Sequence, residues 1–371
     1  MTQSKTTWRS ALLTGPPTLI ALAAVLFNFG CTASQQAKAS SKIDVPPGAT
    51  LLRGAGATFP SPLYKDWFAA YQKTHPQTVI AYDAVGSGEG VRRFSKVSVA
   101  PEEEVDFGAS DSAMTDEQIA RVSTGTRLLP MTAGSVAIAY NLPNFTGDLR
   151  LSRTALAGIF GGEIKTWDDP RITKTNPGIR LPKLTIVTVV RQDSSGTTFA
   201  FTKHLDAISE SWRRRYGAAN VVNWPGNAIR AKGNEHVAST IQNSEGSVGY
   251  VGYEFARQLG LKMAMIENKG GKFIAPSSDS ASAALASVQL PENLRVFVPD
   301  PEGENSYPIV TLSWILIYNN YPDSQKAAML KDLFAWCLSD GQREAQNLGY
   351  APLPANVASK SVASLQAVQN H

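Results

Sequence analysis

The segment Arg191-Gln-Asp-Ser-Ser-Gly-Thr197 joins a stretch with strand character to a stretch with helical character. Residues 183–190 before it are largely apolar and β-branched on both faces, which is typical of a strand buried in a parallel sheet. Beyond it, Phe201 and Leu205 recur at helical spacing, so we expect a helix to begin near Thr198. Open α/β sheets bind ligands in such loops, at the carboxyl ends of their strands. The sequence therefore predicts an α/β fold with a ligand site at this loop.

The chemistry of this loop favours a compact anion. The first turn of the following helix has free N–H groups at the positive end of the helix dipole, and small hydroxyl residues accompany them. Arg191 adds a planar fork of donors that suits an oxyanion, and Asp193 is close enough in sequence to brace the guanidinium. Taken alone, the loop is equally compatible with an ordinary strand-to-helix connection in which serine and threonine cap the helix.

Length and composition exclude several classes of protein. A chain of 371 residues exceeds the usual size of one hydrophobic core, so we expect two lobes. The net charge of +4 is spread thinly, and the one basic run, residues 213–215, is expected on a solvated helix face, so no nucleic-acid surface is indicated. We predict no metal site and no cofactor, because no ligand spacing relates the four histidines, residues 75, 204, 236 and 371.

Residues 1–31 are predicted to be an export signal. Lys5 and Arg9 give a positive start, and residues 19–27 form an apolar run that is too short to span a bilayer. The closing Gly30-Cys31 resembles the cleavage site of bacterial lipoproteins, which implies lipidation of Cys31. The two residues before Gly30 depart from that pattern, so cleavage further along without a lipid remains the alternative.

After the predicted signal we expect a tether and then, from near Ala49, a folded body without disulfides. Residues 32–48 are rich in Ser, Ala, Gln and Lys and are predicted to be a flexible tether. Residues 280–287 are predicted to form a helix, and residues 323–338 a second helix that packs back on the first lobe. Cys337 falls on the apolar stripe of that second helix. It is the single cysteine left once the predicted signal is removed, so no intrachain disulfide is expected.

Two further segments place anion-binding groups beside a predicted strand. In residues 51–60 a short strand, a glycine turn and a helix start follow one another, so Thr58 and the N–H of Phe59 point out of the positive helix end. A second predicted strand precedes Gly86-Ser-Gly-Glu-Gly90, a glycine-rich turn expected to expose consecutive N–H groups beside the Ser87 hydroxyl. Neither segment completes a dinucleotide fingerprint or a P-loop.

A carboxylate follows the third predicted strand, residues 105–111, and a capping box of Thr115 and Gln118 then begins a helix. A carboxylate repels a bare oxyanion, but it accepts a hydrogen bond from an oxyanion that still carries a proton. Phosphate keeps a proton near neutral pH and sulfate does not, so Asp111 favours phosphate. For Asp111 alone, a helix or turn cap is the alternative interpretation.

These segments resemble the four ligand segments of the phosphate-binding proteins of bacterial high-affinity phosphate ABC transporters. The matching motifs are Gly54-Ala-Gly-Ala-Thr-Phe-Pro60, Gly86-Ser87, Asp106-Phe-Gly-Ala-Ser-Asp111 and Arg191-x-Asp193-x-Ser-Gly-Thr197. Further similarity in residues 164–170, 246–250, 307–309 and 350–354 extends the resemblance over essentially the whole mature chain.

The resemblance implies a type II-like, two-lobed periplasmic-binding-protein fold, in which each lobe is a mixed or parallel sheet flanked by helices and two crossovers form a hinge. Residues 49–132 and 310–371 would form lobe I, and residues 133–309 lobe II. The implied phosphate ligands are Thr58, Phe59 (backbone), Ser87 and Asp111 from lobe I, and Arg191, Ser195, Gly196 (backbone) and Thr197 from lobe II. The chain departs from the family at Gly88, where many members have a second serine, and at Ser194, where glycine is common.

The resemblance further implies a monomeric receptor that captures inorganic phosphate and delivers it to the membrane permease of an ABC transporter. Its expected location is the periplasm or the outer face of the cytoplasmic membrane. One alternative is a phosphoryl-ester hydrolase that uses Ser87, Ser195 or Thr58 as nucleophile, although no activating base or metal cluster accompanies them in sequence. Another is a receptor for a different oxyanion, such as sulfate or molybdate, against which Asp111 argues.

Overall fold

Strands alternate with helices along most of the chain, as the sequence predicts for an α/β fold. The computed structural model describes residue 3, residues 43–286 and residues 288–370. The predicted export signal, Cys31 and most of the predicted tether lie outside the described residues. Asp44–His371 forms one compact unit. No helix in the described ranges is long and apolar enough to cross a membrane.

The strands are β1 (Thr50–Gly56), β2 (Thr78–Ala84), β3 (Phe107–Ser110), β4 (Thr126–Tyr140), β5 (Arg150–Leu151), β6 (Val187–Arg191), β7 (Ile229–Ala231), β8 (Ser247–Gly252), β9 (Lys262–Met263), β10 (Met265–Glu267), β11 (Phe273–Ile274), β12 (Val310–Tyr318), β13 (Asn320–Tyr321) and β14 (Gln369–Asn370). The helices are α1 (Ser61–Thr74), α2 (Ser87–Phe94), α3 (Asp116–Ala120), α4 (Arg153–Phe160), α5 (Pro170–Thr173), α6 (Gly196–Ile208), α7 (Glu210–Arg215), α8 (Gly233–Asn243), α9 (Tyr253–Gln258), α10 (Ser278–Leu285), α11 (Ser324–Leu338), α12 (Gln342–Ala345) and α13 (Ala355–Gln366).

A mixed sheet with the strand order β2-β1-β3-β12-β4-β8-β6-β7 organises these elements. The long strand β4 belongs to two parts of it, because residues 126–135 pair with β12 and residues 136–140 pair with β8, both antiparallel. We call β1, β2, β3 and β12, with the helices that follow β1 and β2, the first half. We call β6, β7 and β8, with the helices that follow them, the second half. Within the halves, β1 runs parallel to β2 and β3, and β6 runs parallel to β7 and β8.

The strand and helix predicted around Arg191 are confirmed with shifted ends. The strand is shorter than expected, since β6 begins at Val187, but it lies between two parallel neighbours and fully buries Val189 and Val190. Helix α6 begins at Gly196, two residues before the predicted start, because the Ser195 hydroxyl accepts a hydrogen bond from Thr198 N and caps the helix.

The glycine-rich turn predicted at residues 86–90 is wrong, because the structure has a helix there. Gly86, with φ of +99°, precedes the first turn of α2, and residues 87–94 are helical. Glycine has a low helix propensity, which concealed this helix. Gly90 is required by packing, since a Cβ there would lie 2.4 Å from the Cα of Gly56 on β1.

Apolar helix faces cover the first half of the sheet as predicted. The aromatic stripe of α1 is buried, and the Trp67 indole donates to the carbonyl of Gly341 at 2.7 Å. Helix α11 packs against α1 and β1 and buries Cys337 as a free thiol. The predicted capping box of Thr115 and Gln118 is confirmed at the start of α3. The arginines of α7 are exposed, and α10 matches the helix expected near residue 280.

Candidate functional site

The candidate site lies where the two halves of the sheet meet. Each predicted ligand follows the carboxyl end of a parallel strand: Thr58 follows β1, Ser87 follows β2, Asp111 follows β3 and Arg191 ends β6. Direct contacts join the halves, since Gly196 N donates to Ser87 Oγ at 3.1 Å. All eight predicted ligands are therefore brought to one place, and all are buried.

Backbone N–H groups at or just before the starts of α1, α2 and α6 are available to a ligand. Those of Thr58, Phe59, Ser87 and Thr197 have no backbone acceptor among the described residues. The N–H groups of a helix's first turn lack partners within the helix, so they are available to an anion. The Phe59 ring itself is in the core, where its centroid lies 5.6 Å from that of the Tyr350 ring in a T-shaped arrangement.

Asp111 is almost fully buried and contacts the hydroxyls of Ser87 and Ser313, which both belong to the first half. Its Oδ1 accepts a hydrogen bond from Ser313 Oγ at 2.7 Å, and its N–H donates to Ser87 Oγ at 3.2 Å. Burial raises the pKa of Asp111 to about 7, although the hydrogen bond from Ser313 and the positive charge of Arg191 act in the opposite direction. This carboxyl group can therefore exchange a proton, or share one, close to neutral pH.

Arg191 is held in place by an ion pair with Asp193, as the sequence predicts. The Arg191 Nε donates to Asp193 Oδ1 at 2.8 Å, and Nη2 donates to Asp193 Oδ2. Gly233 N, at the start of α8, also donates to Asp193 Oδ1 at 2.9 Å. Burial opposes ionisation of Asp193, but these hydrogen bonds and the guanidinium charge outweigh it, so its pKa lies below the usual value. The guanidinium keeps Nη1 directed at the Thr197 hydroxyl, 3.4 Å away.

The start of α6 requires glycine at position 196. A Cβ on Gly196 would lie 2.6 Å from the Asp111 Cβ and 2.7 Å from Ser87 Oγ, so any side chain would separate the two halves. Ser195 caps the helix through its hydroxyl, as the alternative interpretation of this loop proposes. Thr197 turns its hydroxyl toward Arg191 and Asn234.

The two departures from the family motifs face each other across the junction. Gly88 N donates to the carbonyl of Ser194 at 3.0 Å, and a Cβ on Gly88 would lie 2.4 Å from the Ser194 Cβ. The absence of a side chain at one position therefore makes room for the side chain at the other.

Sequence reasoning missed two buried polar residues, Asn234 in the site and Glu254 outside the set of predicted ligands. Asn234 is fully buried and donates to the hydroxyls of Thr58 and Thr197; the strand-to-helix criterion that found Arg191, applied to β7 and α8, would have found it. Glu254 is also buried, and Oε1 has no hydrogen-bond partner among the described residues. Burial raises its pKa to about 8. No sequence signal marks Glu254, because its burial depends on the packing of α9 against β4 and β8.

No group of three or more His, Cys, Asp or Glu side chains within the described ranges has the geometry to hold a metal ion. The eight predicted ligands supply hydroxyls, N–H groups, one guanidinium and the Asp111 carboxyl group, whose pKa is raised. Such a set can surround a small, partly protonated oxyanion without any covalent step.

Comparison with known proteins gives a family and a fold. Residues 32–341 match the family model of the PBP superfamily domain. The phosphate-binding protein PstS of Methanocaldococcus jannaschii is 36% identical over 354 residues, which cover 89% of this chain and 88% of that protein. PstS of Pasteurella multocida is 37% identical over 317 residues, covering 84% and 89%.

The fold is similar to that of solved phosphate-binding proteins. The structure of a high-affinity periplasmic phosphate-binding protein (PfluDING) bound with phosphate superposes with a TM-score of 0.70 at 22% identity, covering 85% of this chain and 94% of that one. The phosphate-binding protein of Stenotrophomonas maltophilia gives a TM-score of 0.69 at 20% identity, covering 85% and 93%.

Proposed function

The chain belongs to the PBP superfamily and, within it, to the family of PstS phosphate-binding proteins, and from this we propose that it captures inorganic phosphate for an ABC transporter. The proposed ligands are Thr58, Phe59, Ser87, Asp111, Arg191, Ser195, Gly196 and Thr197. The observation that carries the proposal is their convergence, from four separate segments, on one buried junction rich in donors.

Phosphate suits this set of groups better than a fully deprotonated oxyanion. Dehydration of an anion is costly, so donors must replace its water shell, and the N–H groups and hydroxyls do so without adding charge. Arg191 supplies the single positive charge. Asp111 supplies an acceptor for the proton that phosphate keeps near neutral pH and sulfate lacks. Gly196 N, which donates to Ser87 Oγ in the structure, would exchange that bond for a phosphate oxygen.

The halves of the sheet correspond to two proposed lobes, residues 49–132 with 310–371 and residues 133–309. Strands β4 and β12 are the proposed crossings, and bending there would open the junction. Opening would break the hydrogen bonds that join the halves, namely Gly88 N to Ser194 O, Gly196 N to Ser87 Oγ and Asn234 Nδ2 to Thr58 Oγ1. We propose that phosphate stabilises the closed state through its contacts with both halves.

The proposed partner is the membrane permease of a phosphate ABC transporter, and the proposed location is the periplasm or the outer face of the cytoplasmic membrane. We propose that the receptor is a monomer. Lipidation of Cys31 is tested by labelling with a radioactive fatty acid; no label on the wild type, or equal label on Cys31→Ser, would exclude the anchor.

Calorimetric titration with phosphate, arsenate and sulfate tests the proposed function. We expect tight binding of phosphate, binding of the protonated analogue arsenate, and sulfate binding that is weaker by orders of magnitude. Absence of phosphate binding, or equal affinity for sulfate, would reject the proposal. Phosphatase assays with and without divalent metal cover the hydrolase alternative, and turnover that Ser195→Ala abolishes would establish it instead.

A further inference from the structure

Asn234 connects hydroxyls from both halves of the sheet. It lies in the first turn of α8 and is fully buried. Its Nδ2 lies 2.9 Å from the Oγ1 of Thr58, in the first half, and 3.3 Å from the Oγ1 of Thr197, in the second half. Its backbone N–H also donates to Thr58 Oγ1 at 3.2 Å.

The orientation of the Asn234 amide follows from a group that can only donate. Gly252 N, at the end of β8, lies 3.0 Å from Asn234 Oδ1. A backbone N–H has no acceptor capacity, so the atom facing it must be the amide oxygen. The amide nitrogen is thereby directed at the two threonines.

Hydrogen-bond counting then fixes where each threonine hydrogen points. A hydroxyl oxygen has two acceptor positions and one hydrogen to donate. Thr58 Oγ1 accepts from the N–H and from the Nδ2 of Asn234, so both acceptor positions are used. Thr197 Oγ1 accepts from Asn234 Nδ2 and from Arg191 Nη1, which is also a pure donor. Each threonine has only its hydrogen left for a ligand.

We propose that Asn234 is a positioning residue that turns the hydroxyl hydrogens of Thr58 and Thr197 toward the bound anion. This inference rests on the proposed capture of phosphate at the same site. Asn234 fixes both hydroxyls as hydrogen-bond donors toward the ligand. They therefore bind ligand oxygens, which accept hydrogen bonds, and disfavour ligand groups that can only donate. Because Thr58 and Asn234 come from different halves, Thr58 is fixed as a donor only when the halves are together.

Two substitutions of Asn234 separate the donor role from the space that the side chain fills. Asn234→Leu keeps the branched shape of the side chain but removes the amide donor, together with the acceptor of Gly252 N, so we expect phosphate affinity to fall by about tenfold. Asn234→Asp keeps the shape but replaces the donor with an acceptor that attracts both hydroxyl hydrogens and adds negative charge. We expect it to weaken phosphate binding further, by about a hundredfold or more. The matched control is Asn243→Leu, an exposed asparagine of the same helix, which should bind like the wild type.

A double-mutant cycle with Thr58→Val tests whether Asn234 acts through the hydroxyl. If it does, Asn234→Leu costs clearly less affinity in the Thr58→Val background than in the wild type. Calorimetric titration with phosphate measures all four proteins, and circular dichroism confirms that each is folded. Additive losses, or an Asn234→Leu affinity within about twofold of the wild type, would overturn the proposal.

If Asn234→Leu does not fold, the isosteric Asn234→Asp provides the test. An Asn234→Asp protein with phosphate affinity close to that of the wild type would equally contradict the proposed positioning role of Asn234. The proposed function is judged separately by the wild type. A wild-type protein that does not bind phosphate refutes the function, whereas a wild type that binds phosphate beside an unaffected Asn234→Asp refutes only the role of Asn234.

Discussion

Replacing Gly88 by alanine should prevent the two halves of the sheet from closing fully. The added Cβ would lie 2.2 Å from Ser194 Oγ and 2.4 Å from Ser194 Cβ, whereas contacting carbon atoms lie about 3.5 to 4 Å apart. The hydroxyl can rotate away, but the Ser194 Cβ can move only with its backbone, whose carbonyl accepts from Gly88 N at 3.0 Å. The clash therefore acts on the closed state.

Overpacking of this kind costs about 1 to 3 kcal/mol. Because phosphate is proposed to bind the closed state, Gly88→Ala should weaken phosphate binding by about fivefold to 150-fold. Adding Ser194→Gly removes both clashing atoms and should restore the affinity to within about threefold of the wild type. Ser194→Gly alone should have little effect.

Calorimetric titration of the four proteins with phosphate at 25 °C measures this cycle, with thermal unfolding as the control for folding. Alanine is the better helix former, so α2 itself tolerates the change. A Gly88→Ala protein that binds phosphate like the wild type would refute the reasoning. So would a double variant no better than Gly88→Ala, because the loss would then have a cause other than the contact with Ser194.

Three further substitutions test single groups. Asp111→Asn should reduce the discrimination between phosphate and sulfate, measured by titration with each anion, and unchanged selectivity would contradict the proton-acceptor role. Arg191→Ala should cost about 1.5 to 3 kcal/mol of phosphate binding, the range for hydrogen bonds to charged groups, and undiminished affinity by calorimetry would place Arg191 outside the site. Glu254 has a pKa of about 8 when folded against an ordinary value of 4.5, so the folded state retains a proton that the unfolded state loses, and stability falls as pH rises between these values. In urea unfolding, the stability of Glu254→Gln relative to the wild type should therefore be higher at pH 8.5 than at pH 4.5. The same stability difference at both pH values would show that Glu254 is not buried as a neutral acid.

The sequence was most informative where one short segment carries both the fold and the chemistry. The change from a strand to a helix at Arg191, the strand that ends before Asp111 and the capping box at Thr115 are local patterns, and each is confirmed in the structure. The ion pair of Arg191 with Asp193 is also predictable from the sequence, because the two residues are only two positions apart.

The parts that sequence reasoning missed depend on contacts between distant segments. Asn234 follows a strand and lies in the first turn of a helix, which is a local pattern. Its role in our proposal, however, depends on its contact with Thr58 across the junction, which the sequence does not show. The sequence places Gly90 in a turn, because the contact that requires glycine there, the close approach of β1, involves a distant segment. The compensation between Gly88 and Ser194 is visible only when α2 and the loop before α6 are seen face to face.

The position of β12 has a consequence for the order in which the protein can fold. This strand lies between β3 and β4, yet it is synthesised long after both of them. Until β12 is present, β3 and residues 126–135 of β4 have open edges with unpaired N–H and carbonyl groups, which can pair with other chains. The second half, in contrast, is complete in sequence before β12 is made. A chain truncated before residue 310 should therefore aggregate through the first half, and the full chain should complete that half last.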